Sequence, residues 1–497
     1  MLISLPILIG QLKSDEEVIY GGLFFNPIDG YSYFAKMQQG YAGEWTFQLP
    51  YSGQENEEVF LFTFYIVLGH ITRILGLSIP LVFHLFRIGI AILFFLSLEP
   101  LLKNFFRQEN IFYKGAYVTL LFGGGLGWIY FLTGDLPIDF WVSEAFVFLS
   151  AIANPHFILT FLIMSWLLNS IFDNHFGYKA IVINIVLGFI LVNISPFAAL
   201  VIGFVQVIYI LLDRGNIKGK IGNLFAYGLP VVIFALYQYY SIQHDPILKL
   251  WDEQNVTSTP GILNLIFGFS PMLVGVIILL FIHYKKGTKI PTKVTLLIIW
   301  LLFSFLMSYF PFNLQRRFLV GIFLPLSIVF WYLLNIYVAN GKNNKKNFVP
   351  SLIISISLFS NLLILFGSVN ALRNQDPIFF IEKNLVDTVD WMNNNIQQDS
   401  VVLTTVDSGL IVPALGNFRV VYGHPFESIN AEVAEEFVNK FWSNKMTVEE
   451  TDAFFKANNV DYILCEFDTT IQNCPEITNN FEIIFKSDDM ALFQVAD

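Results

Sequence analysis

Charge is what this chain has least of: 13% of its 497 residues are Asp, Glu, Lys or Arg, against 55% hydrophobic and 17% aromatic, and its mean hydropathy is +0.60. Soluble domains are about a quarter charged, so a soluble globular chain of this length is excluded and a polytopic membrane protein remains. Basic charge is scarcer still, 28 Lys and Arg against 39 Asp and Glu for a net of −11, and no nucleic-acid partner is expected. Cysteine is nearly absent. Cys465 and Cys474 either form one disulfide, if the polar C-terminal part lies outside the cytoplasm, or remain two buried thiols. The apolar opening "MLISLPILIG" (1–10) lacks a basic flank, which argues against a signal peptide, and is too short to span; it reads as the second half of a first transmembrane helix.

Apolar runs are what the chain has most of. Those at 80–102, 115–133, 156–172, 179–195, 196–212, 221–242, 267–284, 293–311, 317–338 and 349–369 predict membrane spans, since a helix needs roughly 17–25 residues to cross about 30 Å of hydrocarbon. Ser195-Pro196 predicts a tight re-turn or a broken helix. Lys and Arg gather at 103–114, 213–220, 284–293 and 340–347 (Lys342, Lys345, Lys346), which places these loops in the cytoplasm and puts 134–155, 243–266, 312–316 and the tail after 370 outside. The stretch 59–78 is apolar enough to span, yet counting it would bring the acidic segment around Asp15, Glu16, Glu17, Glu55, Glu57 and Glu58 to the basic side. It is therefore read as a helix in the outer interface, with a transmembrane hairpin as the alternative.

"FFNPIDGYSYFAKMQQG" (24–40) then lies in a long external loop after the first helix. Asn-Pro and Asp-Gly are turn signals, and Asp29 can cap a helix predicted over Gly30–Gln39. An external loop with an Asp at a helix start, an interfacial helix, a series of further spans and an external C-terminal domain together resemble the GT-C superfamily. These are membrane glycosyltransferases, among them the protein O-mannosyltransferase-like and aminoarabinose-transferase-like enzymes that use polyprenyl-phosphate sugars. The resemblance covers roughly residues 1–340 and is topological. It implies a mainly α, polytopic transmembrane domain of GT-C type over 1–370, followed by a small extracytoplasmic α/β domain over 371–497. By position it makes Asp29 the catalytic acidic residue. Its second polar loop matches "GDLPIDFWVSEAFVFLSAIANPHF" (134–157), with Glu144 as a second catalytic candidate and Asn154 and His156 as substrate-binding candidates. Tyr31, Tyr33 and Gln315, beside the candidate residues, are further substrate-binding candidates. Some members carry an acidic pair beside the catalytic Asp; here Gly30 follows Asp29, which argues against a bound divalent metal, and no metal ligand or other cofactor is assigned.

The chemistry can be set out independently. Moving a sugar from a phosphate to a hydroxyl needs a carboxylate to take the acceptor proton and cations to hold the phosphate. Asp29 suits the first need. For the second, "FPFNLQRRFLVG" (310–321) sets Arg316 and Arg317 on the external side, against the positive-inside trend. They either grip the donor phosphate in bidentate fashion or snorkel into anionic headgroups. His84 and Arg87, one turn apart inside a span, either bind the same phosphate or pair with an acidic neighbour. The "GGGLG" run (123–127) lacks the Lys-Ser/Thr ending of a phosphate loop and reads as close helix packing within the 115–133 span.

After Ala371 charge rises, and period-2 runs at 400–406, 418–423 and 460–467 alternate with helical patterns at 378–397, 430–442 and 447–458, predicting a three-layer α/β domain. His424 and Glu427, in "YGHPFES" (422–428), read as structural, with acceptor binding as the alternative. The expected function is transfer of a hexosyl or pentosyl group, with inversion, from a lipid-linked donor to a glycan, lipid or protein acceptor at the outer face of the plasma membrane. The rival reading is a polytopic transporter or a non-catalytic membrane protein that handles lipid-linked glycans, but the matching broken helices that a transporter's inverted repeats would leave in two halves are not found in the sequence.

Overall fold

A long apolar run becomes a long helix even where it carries an internal proline, as at Pro100, Pro230 and Pro350. In the computed structural model, which describes residues 2–107, 110–172, 177–287, 289–338, 345–466 and 474–495, five helices are long and apolar enough to cross a membrane: Ile79–Lys103, Pro155–Phe172, Ile217–His244, Gln315–Val338 and Asn347–Arg373. The protein is a multi-pass membrane protein, mainly helical, with a small C-terminal sheet. Ser195-Pro196 separates two helices of 17 residues, Tyr178–Ile194 and Pro196–Leu212, and the 293–311 run forms the 16-residue helix Thr292–Met307. Of the predicted basic loops, Lys342 and the side chains of Lys345 and Lys346 lie outside the described residues.

Two expected spans are not continuous. The 267–284 run divides into Ile262–Phe269 and Met272–Lys286, bent by 85°; Pro271 stands at the break and has no amide to continue the hydrogen-bond ladder. The 115–133 run divides into Ile111–Phe122 and Gly127–Thr133, bent by 50°. Here the glycines serve a second purpose besides the close packing expected of them. Asp139 Oδ2 accepts the amides of Gly125 and Gly127, at 2.8 and 3.3 Å, and a Cβ on Gly127 would lie 1.7 Å from Asp139 Oδ1. The run is a helix break shaped around a buried carboxylate, and it also packs closely on the helix Ile262–Phe269, where a Cβ on Gly125 would meet the Gly268 carbonyl at 1.9 Å.

Packing groups the residues into two compact units, one of Met1–Ser4, His84–Leu236 and Thr257–Asn370, the other of Leu5–Phe83, Tyr237–Val256 and Ala371–Asp497. The second unit joins the first loop to the tail. Strand β1 (Val18–Tyr20) pairs antiparallel with β2 (Phe380–Glu382). Strands β3 (Val401–Leu403), β4 (Arg419–Val420), β5 (Tyr462–Glu466), β6 (Glu482–Lys486) and β7 (Met490–Gln494) form a sheet in the order β4-β3-β5-β7-β6. It is parallel across β4, β3 and β5 and antiparallel from β5 through β7 to β6.

The three strands and three helices legible as patterns are present; the helix Val406–Leu415 and the β6–β7 pair were not expected. Val401, Leu403 and Ile463 share a core with Val438, Phe441, Phe454 and Phe455 of the helices Ala431–Trp442 and Val448–Ala457. The alternate residues Val402, Leu464 and Leu492 are buried on the opposite face of the sheet. Cys465 and Cys474 are joined as a disulfide.

The 59–78 stretch forms the helix Thr63–Leu75. At 13 residues it measures about 20 Å, short of the hydrocarbon thickness. It lies against the helix Pro27–Ala42 where both are glycine: a Cβ on Gly40 would meet the Ile66 carbonyl, and one on Gly69 the Met37 carbonyl, each at 2.0 Å.

Candidate active site

The helix that carries Asp29 begins three residues earlier than its sequence suggests. Pro27 opens it, at a position where a missing amide costs nothing, and Asn26 precedes it in the left-handed region at φ 46°. Asp29 therefore sits inside the first turn rather than at the cap, where a carboxylate is favoured by the helix dipole. Its Oδ2 accepts from Asn26 Nδ2 at 2.6 Å, its Oδ1 lies 3.6 Å from His424 Nε2, and 44% of its side chain is exposed.

Further along the same helix, Lys36 is fully buried and donates to both Glu427 oxygens, at 2.9 and 2.8 Å, and to Ser32 Oγ at 2.5 Å. Ser32 Oγ donates in turn to Glu427 Oε1 at 2.6 Å, and the Phe62 ring lies 4.3 Å under the ammonium. Burial lowers the affinity of the Lys36 amine for its proton. Burial also acts to raise the Glu427 carboxyl, but the Lys36 ammonium, His424 and the Ser32 hydroxyl outweigh it and hold that carboxyl below its usual range. The pair stands as an ion pair because each member answers the other's charge. Tyr33 stacks on Tyr65 at 4.2 Å. Tyr31 is buried edge-on against Phe34, and burial raises its phenol above the ordinary value.

In the other unit, Glu144 and Arg316, read separately from sequence, form an ion pair at 3.6 Å, with the Glu144 side chain 8% exposed. Arg316 also lies over the Trp141 ring at 4.5 Å, and the Glu144 carbonyl accepts the Gly321 amide at 2.9 Å. Gln315, Arg316 and Arg317 share one 3-10 turn, Gln315–Leu319. Arg317 makes no ion pair among the described residues. Asn154 is buried, and its Nδ2 has no protein partner among the described residues. His156 packs against Phe157, ring centroids 4.0 Å apart.

His84 and Arg87 bind one another: Arg87 Nε donates to His84 Nδ1 at 3.1 Å. The fully buried guanidinium also donates to the carbonyls of Ala151 and Ile3. These backbone carbonyls answer part of its charge.

Sequence reading missed Lys36 and Ser32 and gave His424 and Glu427 no catalytic place. One signal was available: Asp29, Ser32 and Lys36 fall at i, i+3 and i+7, a single helix face. Nothing in sequence tied that face to residues about 390 positions away.

The donors around Asp29 do not suit a divalent cation. His424 Nδ1 accepts the amides of Phe426 and Glu427, at 3.1 and 3.2 Å, so a neutral ring carries its proton on Nε2, the atom nearest Asp29, and has no lone pair for a metal there. The nearby Glu427 carboxylate is already held by Lys36 and Ser32.

No family model and no curated protein matches the chain. Among solved structures, the oligosaccharyltransferase of Archaeoglobus fulgidus in its apo form is matched at a TM-score of 0.55 and 12% identity, covering 94% of this chain and 69% of that one. The same enzyme tethered to an acceptor peptide containing the NVT sequon is matched at 0.53 and 12% identity, covering 94% and 68%. ArnT from Cupriavidus metallidurans, in the apo state, is matched at 0.48 and 11% identity, covering 99% and 97%. The chain has the GT-C-type fold that its topology implies.

Proposed function

We propose that this protein is a membrane glycosyltransferase that moves a sugar from a polyprenyl-phosphate donor to an acceptor hydroxyl or amide outside the cytoplasm, with its tail on that side. The observation that carries the reading is a half-exposed carboxylate, Asp29, at the start of the first-loop helix of a chain with the fold of an oligosaccharyltransferase. Asp29 takes the proton from the acceptor as its oxygen or nitrogen attacks the anomeric carbon; the bond from that carbon to the phosphate oxygen breaks, and the phosphate leaves with the electron pair. Displacement in one step inverts the anomeric centre, and the transferred group is a hexosyl or pentosyl unit.

Arg317 and Arg316 hold the phosphate as its charge grows. Glu144 and Trp141 keep the Arg316 guanidinium in place for that task. Asn154, His156, Gln315 and Tyr33 supply polar or aromatic surface to the substrates. His84 and Arg87, bound to each other and to carbonyls, support the fold in this reading. Purified protein given a panel of radiolabelled polyprenyl-phosphate sugars, with crude lipid and peptide acceptors, tests it: the wild type transfers label and Asp29→Asn does not. Absence of transfer from every donor by active-folded wild type overturns it.

A further inference from the structure

The face of the first-loop helix formed by Asp29, Ser32 and Lys36 meets one short stretch of the tail, residues 424–427, with His424 at Asp29 and Glu427 at Ser32 and Lys36. That stretch is pinned. Ser428 Oγ accepts the amides of Gly423 and His424 at 3.1 Å each, and the Ser428 amide donates to the His424 carbonyl at 2.9 Å. The imidazole is buried, its Nδ1 already accepts two amides, and its Nε2 has no hydrogen-bond partner among the described residues. A buried N–H donor is costly to leave unpaired, and Asp29 Oδ1 is 3.6 Å away. That distance lies beyond a closed hydrogen bond, and catalytic contacts of this kind tighten when substrates dock.

We propose that His424 is the positioning residue of the transfer base: its Nε2–H donates to Asp29 Oδ1 and turns the remaining lone pairs of the carboxylate toward the acceptor. With Asn26 on Oδ2, a donor then stands at each oxygen. The ring does not carry the acceptor proton onward, because both its nitrogens are committed; the proton stays on Asp29 until product leaves. This role rests on Asp29 being the base, and it makes the tail a part of the transfer centre. Among the described residues, the charged and titratable groups around Asp29 include Lys36 on its own helix and His424 and Glu427 of the tail, with Tyr51 packed against the His424 ring.

The test does not need a substrate. Full-length protein in nanodiscs is treated with a water-soluble carbodiimide and glycine ethyl ester at a series of pH values, and modification of Asp29 is quantified by peptide mass spectrometry. Carbodiimide attacks the protonated carboxyl, so losing a donor to the anion moves labelling to higher pH. In His424→Phe, which keeps a ring without the donor, the half-labelling pH rises by about half to one unit; in His424→Gln, whose amide N–H replaces the ring N–H, it returns toward wild type. His424→Leu stands in for His424→Phe if the latter does not assemble as a single species on gel filtration. An unchanged midpoint in the donor-free variant overturns the proposal, as does an equal rise in His424→Gln. Full transfer by Asp29→Asn would remove the base reading and leave the labelling result intact, whereas an inactive Asp29→Asn with no labelling shift removes this inference alone.

Discussion

Asp29 keeps 44% of its side chain exposed and has the side chains of Asn26 and His424 among its neighbours, while Asp139 is fully enclosed and accepts the backbone amides of Gly125 and Gly127, with the Ser360 hydroxyl beside it. The same chemical group is used in two ways. A carboxylate held by side chains on one edge can still reach a second molecule; one seated in a glycine break is spent on holding the chain bent. Exposure and the type of donor, rather than the presence of an acid in a loop, separate a candidate base from a structural fixture. By exposure Glu427 belongs with the fixtures, 13% exposed and closed in by Lys36 and Ser32, although it lies beside the candidate base.

The contrast can be broken most directly at its two ends. Asp29→Asn is expected to lower transfer by about two to four orders of magnitude and to leave the melting temperature nearly unchanged, since an amide at position 29 can still accept from Asn26. A large fall in melting temperature would move Asp29 to the structural side. Lys36→Met, which leaves the Glu427 carboxylate enclosed without its cation, is expected to cost about 3–5 kcal/mol of stability. Lys36→Met/Glu427→Gln should recover most of it, and thermal unfolding in detergent followed by tryptophan fluorescence reads both.

Acid sharpens the comparison. Burial pushes the Asp139 carboxyl up to about 6, against the amides of Gly125 and Gly127 and the Ser360 hydroxyl, which favour the anion. A carboxyl raised on folding binds its proton more readily in the native state. Its contribution to stability is therefore greatest below its unfolded pKa, falls as pH rises toward 6, and is level above. From a shift of roughly two units, about 3 kcal/mol is at stake. Glu427 has the opposite sign: its carboxyl is lowered, so its stabilisation is present above the ordinary carboxylate range and fades as pH falls. Melting of wild type between pH 4 and 7, compared with Asp139→Asn, isolates the first effect; identical slopes would show that Asp139 does not titrate in this window. The smallest expected change is at Arg317, where Arg317→Lys keeps the charge and loses the fork, weakening donor binding about tenfold or less. Unchanged donor affinity would assign Arg317 to the lipid headgroups.

Much of the membrane part was legible because an apolar run of sufficient length has few alternatives to a helix. The two breaks were not. A glycine run bends a helix or packs it depending on what fills the space beside it, and the group that fills it, Asp139, lies 12 residues beyond Gly127. The α/β tail was readable from alternating runs such as "SVVLTTV", whereas β6, largely exposed, and β7, buried on both faces, lacked a clean period. For the candidate site, Asp29 could be found from its turn and position. Its neighbours could not, because His424 and Glu427 reach the helix only through the fold of a tail made nearly 400 residues later.

That separation has a consequence for synthesis. Tyr20 of β1 and its partner Phe380 are 360 residues apart, which at about 5–20 residues per second is roughly 20–70 s of translation. Throughout that interval β1 has an open edge, and Lys36 lacks the carboxylate that makes its burial tolerable. A nascent chain must keep its first loop soluble and protease-resistant without the tail. A product truncated before residue 380 keeps the spans yet strands the candidate base on a helix that has lost its counter-charge, and quality-control proteases are expected to meet it there first.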